Sequence, residues 1–110
     1  MDAKVVHLPD DVCIDLEQTK ELMSSSDYKK RFMAEYYQLA IRIVRLERMC
    51  AKWDAGKLAF TPTVERSIYD VQISAMKSYL DVLKLRAVKE KIPNLASLDY
   101  LHKLIAEMYD

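Results

Sequence analysis

A single glycine, Gly56, stands in the whole chain of 110 residues, so no glycine-rich loop can cradle a phosphate through its backbone. Cysteine is almost as scarce. Cys13 and Cys50 form no C-x-x-C pair and have no metal-ligand spacing, and with no leader expected they read as reduced thiols of a cytoplasmic protein. The two histidines, His7 and His102, lack Cys, His, Asp or Glu partners at ligand spacing, which argues against a metal site and leaves no cofactor implied. Charge of one sign is not in excess either: Lys plus Arg and Asp plus Glu number 17 each, whereas a duplex-binding protein draws most of its affinity from a basic surplus. No apolar run approaches the roughly 20 residues of a membrane span. Ser67, Ser74 and Ser78 have no histidine at a fixed offset and no glycine-tight elbow, so nucleophilic catalysis has no evident machinery. Neither an enzyme, nor a duplex-nucleic-acid binder, nor a membrane protein is expected.

What the chain does have is helical periodicity. Phe32, Tyr36, Leu39, Ile43, Leu46, Cys50 and Trp53 step by four and three, which places them on one face of an α-helix. Tyr69, Ile73, Met76, Leu80, Leu83 and Ala87 repeat the pattern. Gly56 is placed to stop the first helix and Thr61-Pro62 to start the second. The expected fold is all-α, a single domain over 1–110 built on a long antiparallel helical hairpin (24–92), with an N-terminal arm and short helix (1–23) and a C-terminal helix (93–110). Each long helix should run about 43 Å.

The ends are shorter and less regular. Lys4 to Leu8 reads as a strand or an extended arm, and Asp10 or Asp11 caps a short helix through Val12, Ile14, Leu16 and Leu22. Ser24 with Asp27 has capping-box spacing ahead of the first long helix. Pro93 closes the second, and Asn94 or Ser97 opens a last helix with the stripe Leu98, Leu101, Ile105, Met108, expected to return over the open end of the hairpin. Each long helix also carries apolar residues off its main seam: Met33, Tyr37, Ala40, Val44 and Met49 on the first, Ile68, Val71, Ala75 and Val82 on the second. A further helix or a second copy must cover these edges, so a homo-oligomer is expected.

An antiparallel register about a loop near Leu58 puts Arg31 level with Arg86, Glu35 with Val82, and Gln38 with Tyr79, with Tyr28 beside the end of the second helix. Two arginines, two tyrosines and a carboxylate then gather at the open end, next to Lys29, Lys30 and a helix N-terminus. Arginine forks and exposed N–H groups suit phosphate, and tyrosine faces suit a base. The plainer account is that Arg31 and Glu35 form an i,i+4 surface ion pair and Tyr79 edges the core.

The pattern Asp27-Tyr28, Arg31, Glu35, Leu39, Leu46, Phe60, Gln72, Met76, Tyr79, Leu83, Arg86 resembles a group of small helical phage proteins named after an open reading frame of a crAss-like phage, over residues 26 to 86. In size and build the chain is also similar to the phage anti-CBASS and anti-Thoeris proteins that hold nucleotide immune signals between helical subunits. It lacks the Gly-Tyr-Arg segment of the former, so ADP-ribose-type signals stand beside cyclic nucleotides. The resemblance implies a phage protein in the cytoplasm of the infected bacterium that binds a small signalling nucleotide without catalysis. It adds Gln72 to the ligand-binding set Tyr28, Lys29, Arg31, Glu35, Tyr79 and Arg86. The alternative is a protein–protein adaptor that presents its apolar edge to a host protein.

Overall fold

The computed structural model describes residues 12–109, and every regular element among them is helical. A 3-10 turn at Glu17–Thr19 leads into a short helix, α1 (Lys20–Met23). The long helices α2 (Tyr28–Asp54) and α3 (Arg66–Lys89) follow, and α4 (Leu98–Tyr109) ends the chain. The readings of Lys4–Leu8 and of Asp10 and Asp11 lie outside the described residues.

Local chemistry explains each boundary. Asp27 is extended and its carboxylate accepts the Lys29 amide at 2.9 Å, so it caps α2 by itself. Ser24, expected to share a capping box with it, instead terminates α1. At the other end of α2 the Lys57 amide reaches the Lys52 carbonyl and the Gly56 amide the Trp53 carbonyl, with Gly56 at φ +69°. That is a Schellman stop, which needs the left-handed residue that glycine supplies. The α3 start differs from expectation: it lies at Arg66 behind an extended Glu65, four residues past Pro62, and an Arg66 side chain bound to both Asp54 and Asp70 ties that first turn down. The α3 end repeats the Schellman pattern with Lys91 at φ 58° in place of glycine and Ile92 buried beyond it. Ser97, rather than Asn94, caps α4, its hydroxyl accepting the Tyr100 amide.

Helix α2 is the centre of the molecule: α1, α3 and α4 all pack against it, and α3 and α4 pack on it rather than on each other. The expected stripe from Phe32 to Cys50 is buried with Leu46 half-covered, and Trp53 packs edge-on against Tyr69 at 5.8 Å. The α4 helix does not cross the open end of the α2–α3 pair. It runs along α2, because the Ala96 peptide is held at one level by Tyr36 and Tyr37, His102 meets Glu47 further on, and Ile105 and Tyr109 line one depression together with Met49. This placement buries Tyr37, Ala40 and Val44 within the chain, so these three residues of the second apolar edge of α2 are not left over for a partner, while Met33 and Met49 stay half-buried.

The outer face of α3 is another matter. Only Leu80, Leu83 and Ala87 of α3 are fully buried, while Ile68, Val71, Val82 and Leu85 on the opposite side are at least half exposed, Val71 by 71%. The helix is apolar on two opposed faces and covered on one.

Candidate functional site

The residues expected at one end of the long helices divide into two groups. Tyr28, Glu35, Tyr79 and Arg86 come together, joined by Phe32 and Glu90. The Arg86 guanidinium donates to the Tyr28 hydroxyl at 3.2 Å, lies 3.8 Å from Glu35 Oε1 and 3.5 Å from Glu90 Oε2, and stacks 4.9 Å above the Phe32 ring. Tyr28 in turn donates to Glu90, and Tyr79 donates to Glu35. The hydrogen bond to Glu35, with burial and the carboxylate charge behind it, holds the Tyr79 hydroxyl above its usual pKa, and the Tyr28 contact holds the Arg86 guanidinium above its own.

Arg31, Lys29, Gln72 and Gln38 do not join this network. The Arg31 side chain turns back to the Ser25 carbonyl at 2.9 Å, where it closes the turn ahead of α2. The Lys29 backbone is spent on the Asp27 cap and its side chain is exposed. Gln38, placed level with Tyr79 by the register, bonds Thr19 on the α1 side instead, and Glu35 rather than Gln38 meets Tyr79. A register argument aligns helices by height but not by rotation, which is why the partners shift by about one turn.

One guanidinium against two carboxylates leaves the network negative. Glu90 Oε2 is buried without a hydrogen bond and has only the longer ion-pair contact to Arg86. As placed, Arg86 is committed to carboxylates that would repel a phosphate, so the cluster acts first as a tie between the first turns of α2 and the last turns of α3.

Free cations lie further along the same face. Among the described residues Arg42 and Arg45 have no carboxylate partner and no hydrogen bond. With Gln72 of α3 they rim an open depression of about 440 Å³ whose floor is Leu46, Met49 and Met76. On the other flank of α2, Arg45 and Met49 also border a second depression of about 370 Å³, lined by Lys52, Phe60 and Tyr109 among others. Carboxylates near this end are engaged elsewhere. Burial pushes Glu47 up, but its bonds to Lys77 (2.8 Å) and His102 (3.0 Å) outweigh that and hold it below the ordinary value, and the Arg66 bond lowers Asp54. Neither Arg42 nor Arg45 was singled out by the sequence, where both look like ordinary solvated helix positions.

Among the described residues no group of His, Cys, Asp and Glu could hold a metal ion, and no helix is long and apolar enough to cross a membrane. The family model described as Sequestin matches residues 26–89, more than half of the chain. The chain belongs to the Sequestin family. The match spans α2, the connection and α3, and therefore contains both the Arg86 network and the Arg42–Gln72 depression. No curated protein and no solved structure matches the chain.

Proposed function

We propose that this Sequestin-family chain is a phage protein that binds a nucleotide immune second messenger, a cyclic oligonucleotide or an ADP-ribose derivative, and withholds it from the host defence in the cytoplasm of the infected bacterium. The observation that carries the reading is the pair of guanidinium groups, Arg42 and Arg45, without a carboxylate partner among the described residues and set above an apolar floor inside the family-matched segment. Arginine forks match phosphate oxygens, and an apolar floor beside them accepts the flat face of a base. The family's name agrees with sequestration. Binding is non-catalytic in this reading, since among the described residues nothing on this face pairs a nucleophile with a base or sets two acids to work on a bound phosphate.

In this reading α2 and α3 form the antiparallel hairpin of a homo-oligomer, with the outer face of α3 as the contact between copies. Ile68, Val71, Ala75, Val82 and Leu85 share that face at steps of three, four, seven and three, a coiled-coil-like seam interrupted at Ser78. The same exposed face favours the second reading, a helical adaptor or inhibitor that lays α3 on a host protein.

The test is to incubate the purified chain with a panel of cyclic nucleotides and ADP-ribose derivatives, remove unbound ligand, heat, and identify what is released by mass. One panel member returned intact is the expected result. A hydrolysed product would make the protein an enzyme, and retention of nothing by a folded sample would leave the adaptor reading.

A further inference from the structure

The side of α3 turned away from α2 has an order of its own. Ile68, Val71, Val82 and Leu85 expose 50%, 71%, 54% and 61% of their surfaces, and between the two bulky pairs stand the small residues Ala75 and Ser78, also exposed. The order bulky, bulky, small, small, bulky, bulky is the same read from either end. Ser78 keeps its hydroxyl on the Ser74 carbonyl at 3.1 Å, so it brings no unpaired polar group to an apolar contact. The two ends carry opposite charges. Glu65 stands just ahead of the first turn and Lys89 closes the last, both exposed and neither with an ion-pair partner among the described residues.

Resting on the homo-oligomer of the sequestration reading, we propose that this stripe is covered by the same stripe of a second copy, run antiparallel about a two-fold axis level with the middle of the Ala75–Ser78 interval. That register sets Ile68 against Leu85, Val71 against Val82 and Ala75 against Ser78, each pairing made twice, as in an antiparallel seam with steps of three and four. The small residues at the axis let the backbones approach, and the bulky pairs close the contact on either side. Charge chooses the direction. With the helices antiparallel, Lys89 of each copy comes level with Glu65 of the other, whereas a parallel pair would set lysine against lysine and glutamate against glutamate. Opposed helix dipoles favour the same choice. A contact between this stripe and some different face of a second copy would be heterologous and leave a stripe open on the last copy of a growing chain, but stripe on stripe closes at two.

The test follows the wild type by light scattering at micromolar concentration and oxidises Ile68→Cys and Leu85→Cys, each alone and as an equal mixture, with a far-ultraviolet melt of each variant to check its fold. The native Cys13 and Cys50 are buried, and oxidised wild type gives the background. A dimer is expected, with a disulfide-linked pair from the mixture and none above background from either variant alone, because two copies of one substituted position lie about 25 Å apart in this register. Lys89→Glu should weaken the dimer about fivefold or more, and Lys89→Glu combined with Glu65→Lys should recover it. A dimeric wild type whose mixture gives no disulfide, a single variant that links to itself, or a Lys89→Glu chain that pairs as well as wild type overturns the antiparallel register. A folded wild type that stays monomeric overturns the pairing altogether and leaves a host protein as the occupant of the stripe. Nucleotide retained by that monomer would keep sequestration standing without the pairing, whereas the expected dimer and disulfide in a protein that retains no nucleotide would keep the pairing and overturn sequestration.

Discussion

Tyr36 and Tyr37 are adjacent in sequence, meet edge to face at 5.3 Å, and divide one peptide unit between them. The Tyr36 hydroxyl donates to the Ala96 carbonyl at 2.6 Å, and the Tyr37 hydroxyl accepts the Ala96 amide at 3.1 Å. Both polar groups of a buried backbone segment are thereby satisfied, and the link between α3 and α4 is fixed to α2. Tyr36→Phe should cost about 1–3 kcal/mol, the desolvation penalty of a carbonyl left unpaired, read from denaturant unfolding. Burial, with Tyr37 beside it, pushes the Tyr36 pKa from 10.0 up to about 12. Its folded value lies above its unfolded one, so its contribution is complete below about pH 10 and is lost as pH rises through about 12. Wild type should therefore lose its stability advantage over Tyr36→Phe across that interval, and an advantage that persists to the top of it would show the hydroxyl is not the source. Arg86 is the opposite kind of residue, half-buried and held by charge. Arg86→Ala should lower Tm by leaving Glu35 and Glu90 without a cation, and Glu90→Gln in the same chain should restore part of the loss. If Arg86→Ala keeps its Tm but loses nucleotide retention, the network is itself a ligand site.

At the scale of elements, the ends of α2 and α3 use the same stop with different residues. Gly56 meets nothing within 4 Å where a Cβ would stand, and its φ of +69° is the reason glycine is needed. Lys91 takes the equivalent position at φ 58° and carries the strain of a side chain there. Lys91→Gly should stabilise the chain by up to about 1 kcal/mol, offset in part by the greater freedom glycine gives the unfolded state, and Gly56→Ala should do the reverse. A thermal melt of the two variants decides it, and a fall in Tm for Lys91→Gly would mean the lysine side chain makes a contact worth more than the strain. Much of this punctuation was legible: the glycine stop, the Pro93 boundary, Ser97 as a cap, and both seams with their spacing. Pro62 misled because proline favours a helix start without enforcing one, and the Arg66 contacts to Asp54 and Asp70 decided where the turn began.

For the whole molecule the exposed α3 face is the feature with the largest consequence. Val71, Val82 and Leu85 expose more than half of their surfaces, so burying such side chains against a second copy gains roughly 1.5–3 kcal/mol for each one fully covered. Val71→Glu together with Val82→Glu should leave the helical content and Tm of the isolated chain almost unchanged and convert an oligomer to a species of 12.8 kDa in light scattering. A wild-type chain that is already monomeric at micromolar concentration removes self-association and turns attention to a host protein as the occupant of that face.

The sequence by itself determined that the chain is helical, where the two long seams lie, and which side chains line them, because a period of three and four permits no other regular structure and the seam must leave water; Tyr69, Ile73 and Met76 of the second seam are only half-buried. It also singled out Tyr28, Arg31, Gln72, Tyr79 and Arg86, polar residues that packing does not require, of which Arg31 and Gln72 lie outside the network. Only the tertiary structure decided that α4 lies along α2 and covers Tyr37, Ala40 and Val44, since periodicity marks an apolar edge without saying what covers it. It alone showed that Arg31 closes a local turn and Arg86 is already paired, whereas Arg42 and Arg45 have no carboxylate partner among the described residues, for a charge in a sequence carries no record of its partner. Which arginine is available to a ligand depends on the rotation of α2 against its neighbours, and that rotation is set by the packing of all four helices together.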